Sequence, residues 1–68
     1  MLSINQIIAF MEREIAQDRL EGRRDDLRQI QYAAGLLMRA AEDAGDKESA
    51  RRFRLVAAQA ANVQEELN

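Results

Sequence analysis

Apolar residues recur along the chain in three blocks, each at helical spacing. In the first, Ile4, Ile7, Ile8, Met11 and Ile15 fall on one stripe, the three-and-four spacing of an amphipathic helix. Glu12, Arg13, Glu14, Gln17 and Asp18 fill much of the polar remainder. Ser3 followed three residues later by Gln6 has the form of a capping box, and Leu2 stands where a hydrophobic staple begins. The block fades between Leu20 and Gly22, giving an N-terminal helix over about 3–21.

The second block presents Leu27, Ile30, Ala34, Leu37, Met38 and Ala41 on one face, flanked by Ala33 and Ala44. The third carries Phe53, Val56, Ala57, Ala60, Val63 and Leu67, flanked by Ala50 and Ala61. They meet at Ala44-Gly45-Asp46, where glycine closes one helix in the left-handed conformation and Asp46 offers an oxygen to the free N–H groups opening the next. So short a link makes the two helices antiparallel, a hairpin over about 26–67. The stretch Glu21-Gly22-Arg23-Arg24-Asp25-Asp26 is the other break, with Asp25 or Asp26 as the cap of the second helix and Gln29 completing a box if Asp26 serves. A single helix running from Ser3 to Ala44 is the rival, because glycine inside a helix costs only about 1 kcal/mol against alanine.

Alanines on the facing stripes (Ala33, Ala34 and Ala41 against Ala57, Ala60 and Ala61) allow close backbone approach. Close approach leaves little apolar volume between the pair. The larger residues must therefore meet on a further surface, supplied by the first helix and, in a dimer, by a second hairpin. The fold class expected is an all-α small antiparallel helical bundle, one domain over 1–68, completed by dimerisation.

Some apolar residues lie off these stripes: Phe10 and Leu20 on the first helix, Tyr32 and Leu36 on the second, Leu55 on the third. Tyr32 and Leu36, four apart on nearly the opposite face from the core stripe, have the spacing of a second contact surface. The alternative is a rotated stripe, with Tyr32 covering the core edge and its hydroxyl in water. These five are the candidate partner-binding residues.

Composition narrows the chemistry. Cysteine and histidine are absent, which removes disulfides, thiolate ligands, the commonest zinc ligand and the side chain best suited to proton transfer near neutrality. Hydroxyls are confined to Ser3, Ser49 and Tyr32, and Lys47 is the only lysine. No glycine-rich phosphate loop exists. No enzyme, cofactor or small-molecule substrate is expected. Glu42, Asp43, Asp46 and Glu48 cluster at the joint but lack the alternation and distal glutamate of a calcium loop, so no metal is assigned.

Ten basic residues face twelve acidic ones, a formal charge of −2. That balance gives no bulk pull toward nucleic acid or anionic lipid. Two arginine clusters, Arg23, Arg24 and Arg28, then Arg51, Arg52 and Arg54, keep an RNA- or DNA-binding module as the alternative. No apolar run approaches the roughly 20 residues of a membrane span, and the first residues have no basic region of a signal peptide. A cytoplasmic protein without membrane contact is expected.

Ala40–Ala50 resembles the helix–turn–helix of tetratricopeptide-like repeats, in which small residues flank a turn, but that repeat's aromatic and proline positions are missing, as is its period of about 34 residues. In size and hairpin design the chain is similar to small plasmid regulators that dimerise into four-helix bundles, a likeness of architecture without shared motif residues. Sixty-eight residues bury only about 60% of the surface exposed when unfolded, so a lone core is marginal. The function expected is stoichiometric binding: a homodimeric regulator or inhibitor acting on a larger protein. A structural assembly subunit is the second alternative.

Overall fold

Two glycines fold the chain into three helices. In the computed structural model, which describes residues 1–68, α1 runs over Ile4–Glu21, α2 over Arg24–Asp43 and α3 over Lys47–Glu66. Gly22 and Gly45 hold φ of 70° and 77°, and no other residue has a positive φ. After α1, the Arg23 N–H turns back to the Asp18 carbonyl at 2.9 Å; after α2, the Asp46 N–H reaches Ala41 in the same way at 2.9 Å. Both are the long return bond of a glycine-terminated helix. The continuous helix from Ser3 to Ala44 is therefore excluded.

The helix starts differ. Ser3 and Gln6 form the full capping box, with Ser3 Oγ accepting from the Gln6 N–H at 3.1 Å and Gln6 Oε1 accepting from the Ser3 N–H at 2.8 Å. Asp46 caps α3, accepting from the Ser49 N–H at 3.1 Å and the Ser49 hydroxyl at 2.6 Å, bonds that hold its carboxyl below the usual range. The expected aspartate cap of α2 is a correction: Arg23 occupies that position, and its side chain makes no capping bond. Asp25 and Asp26 instead lie in the first turn, where the helix dipole favours acids.

An added Cβ at Gly22 would meet nothing within 4 Å, so replacing it tests the backbone alone. Gly22→Ala should cost about 1–2 kcal/mol, the penalty of the left-handed conformation, and lower Tm by roughly 4–16 °C in a domain of this size. A thermal melt checks this; an unchanged Tm would mean that the joint relaxes out of that conformation.

The helices run up, down and up. Arg52 Nη1 donates to Asn5 Oδ1 at 2.7 Å near the starts of α1 and α3, and Arg19 meets Glu66 at 3.0 Å near their ends, so these two are parallel. α2 lies antiparallel to both and has its most extensive packing with α3. Across that pair Gln64 Nε2 donates to Gln31 Oε1 at 2.8 Å. The core joins all three helices through Ile8, Met11 and Ile15, Leu27, Ile30 and Ala34, and Phe53, Val56, Ala60 and Val63.

Four positions correct the expected stripes, among them Ala44, which is exposed at the end of α2. Ala33 is exposed rather than facing α3, and Ile4 lies at the exposed edge. Asp18, read as part of the polar remainder, is 1% exposed and belongs to the interior. No helix is long and apolar enough to cross a membrane.

Candidate functional site

Phe10, Leu20, Tyr32, Leu36 and Leu55 all lie outside the core, each more than half exposed. The structure places them in three regions. Phe10 lines a groove of about 380 Å³ between α1 and α2, together with Leu2, Ile7, Met11, Ile30 and Ala33. Leu55 borders a hollow between α1 and α3 beside Ile8 and Val56. Leu20 borders another, further along the same pair, beside Ile15 and Val63.

Tyr32 and Leu36 stand on the exposed side of α2, outside the residues that line the groove. Leu36 follows the groove residue Ala33 by three positions, which sets it one turn on and about 60° around. Tyr32 lies about 40° beyond Leu36 on the same helix. Ala33, Leu36 and Tyr32 thus follow one another from the groove's edge round the exposed side of α2, while Leu20 and Leu55 border the hollows on the α3 side of α1.

Toward the α1–α2 joint the groove ends in carboxylates. Glu14 and Asp26 line it, and Asp18 lies one turn beyond Glu14. One carboxylate oxygen from each of the three lies within 4.8 Å of the others. Glu14 and Asp26 are half-buried, whereas Asp18 is buried and its Oδ2 has no hydrogen-bond partner. Burial pushes the Asp18 carboxyl up to about 6; a proton shared with Asp26 and the charges of Asp26 and Glu14 act in the same direction, and Arg23 opposes them.

Sequence reasoning missed this cluster, although one signal was present. Asp18 continues the stripe Ile8, Met11, Ile15 at the next three-residue step, so an acid occupies a core position. Among the acids at the other joint, Asp46 is used as a helix cap and Glu48 meets Arg51 at 3.4 Å.

The arginine clusters do not form one surface. Arg23, Arg24 and Arg28 stand at the α1–α2 joint, and Arg51, Arg52 and Arg54 at the opposite end of the bundle. Four of the six have side-chain partners: Arg23 with Glu21 at 2.6 Å, Arg28 with Asp25 at 3.9 Å, Arg51 with Glu48, and Arg52 with Asn5. Arg51 and Arg54 share a hollow with Lys47 and Glu42. Comparison with protein-family models, with curated proteins and with solved structures finds no match.

Proposed function

We propose that this three-helix bundle is a non-enzymatic binding protein that works stoichiometrically, pairing with a second copy of itself and regulating or inhibiting a larger protein. The observation that supports it is Phe10 in the groove together with Ala33, Leu36 and Tyr32 on α2, exposed on a subunit whose core is already closed without them. Single exposed hydrophobes are ordinary. A surface combining two aromatic rings with a groove has the composition of an interface centre. A standard interface takes about 800 Å² per partner, roughly a sixth of this chain's 4808 Å², which one bundle face supplies. The nucleic-acid alternative ranks lower, because its arginines are divided between two ends and mostly paired.

The double variant Tyr32→Glu with Leu36→Glu tests the reading. Sedimentation should give a dimer for the native chain and a monomer of unchanged helicity for the variant, which should also lose its target in a pull-down. A native chain that stays monomeric and captures nothing would defeat the reading. So would a variant that unfolds, since both residues would then be supporting the core.

A further inference from the structure

Asp18 is the only charged side chain buried in the bundle. A buried charge is tolerated when it is paired or when it holds a metal ion. No cation pairs with it at salt-bridge distance: Oδ2 has no hydrogen-bond partner, and the side chains clustered with Asp18 are two more acids, Glu14 from the preceding turn of α1 and Asp26 from the first turn of α2. Arg23, the cation facing the group, is held by Glu21 at 2.6 Å. Three carboxylates from two helices gather at one buried side chain that has an unpartnered oxygen, and neither hydrophobic packing nor an ion pair accounts for the arrangement.

We propose that Glu14, Asp18 and Asp26 form a site for a hard divalent cation of calcium size, which clips α1 to α2 at the closed end of the groove. The donor set is all oxygen, as calcium and magnesium require. Calcium accepts irregular sets of six to eight oxygens, whereas magnesium demands a near-ideal octahedron and gives up its water reluctantly; three carboxylates brought together from two helices, within 4.8 Å of one another, suit the more tolerant ion. Three carboxylates fill part of the coordination shell, and water completes it from the groove, onto which Glu14 and Asp26 open. The site depends on the α1–α2 geometry alone and stands whether or not the apolar surface takes a partner.

Calorimetric titration of the chelator-treated protein with calcium chloride at neutral pH, paired with thermal melts, decides the matter. The native chain should bind one calcium per subunit and melt several degrees higher when loaded, with magnesium giving a smaller shift. Asp18→Asn should abolish both signals. Glu14→Gln, at a half-buried position where a side-chain amide is readily accepted, should weaken binding about tenfold or more. Asp25→Asn, an exposed acid outside the cluster, should change nothing. No binding by the native chain, or an equal melting shift in Asp18→Asn, would overturn the site; a larger effect from magnesium would overturn its size.

Discussion

In calcium-free buffer the protein should lose about 2 kcal/mol of stability as pH rises from 4 to 7, and Asp18→Asn should abolish that loss. The sign follows from where Asp18 sits. Its carboxyl titrates near 6 in the folded chain against 3.8 in the unfolded one, so folding favours the protonated form. The stabilisation is fully present below 3.8 and disappears as pH climbs through 6, because the folded state must release a proton that the unfolded state has already lost. Desolvation is the main cause; Asp26 and Glu14 add to it and Arg23 subtracts. Asp46 acts oppositely: its carboxyl is held low by Ser49, so its contribution is lost only on acidification below the ordinary range and does not mask the effect between 4 and 7. Urea unfolding followed by circular dichroism across this range provides the measurement. At pH 7 Asp18→Asn should exceed the native chain in stability, an uncommon result for a buried polar residue. A native curve that is flat or rises with pH would show that Asp18 is solvated or paired.

The same residue marks where sequence reasoning stops. Periodicity located all three helices, since the stripes Ile8-Met11-Ile15, Leu27-Ile30-Ala34 and Phe53-Val56-Ala60-Val63 each obey one spacing rule and bury together. Glycine chemistry located both turns, and the Ser3–Gln6 box was legible because both of its bonds are local. Residues outside the stripes, Phe10, Leu20, Tyr32, Leu36 and Leu55, are exposed for the complementary reason. How these residues group is a different kind of fact. It depends on which flank of α1 faces α2 and which faces α3, and a hydrophobic stripe gives only the direction of the core. For that reason Phe10 and Leu55, both off the stripe, emerge in separate grooves. The convergence of Glu14, Asp18 and Asp26 is set by the same docking of α1 onto α2. An acid at a stripe position was visible in sequence, but its two companions were not, because Asp26 arrives from another helix.

The core itself has one residue whose truncation takes a large share of the domain's stability. Phe53→Ala removes a ring that is 2% exposed from the helix that packs against both others. Phe-to-Ala changes in cores cost about 3–5 kcal/mol through lost transfer energy and the residual cavity. At about 0.05–0.15 kcal/mol per residue, a domain of 68 residues has roughly 3–10 kcal/mol in total, so the variant should lose about a third or more of its stability and melt cooperatively at least about 12 °C lower. Leu55→Ala, two residues on, removes a side chain 60% exposed and should stay within about 0.5 kcal/mol of the native chain. The pair fixes the rotation of α3, since turning the helix toward Leu55 would bury it and release Phe53. If Leu55→Ala proved the more damaging of the two in thermal unfolding, the α3 face assigned to the core would be wrong. If both were damaging, Leu55 would be covered by a second subunit that contributes to stability, and the melting temperature of the native chain would then rise with protein concentration.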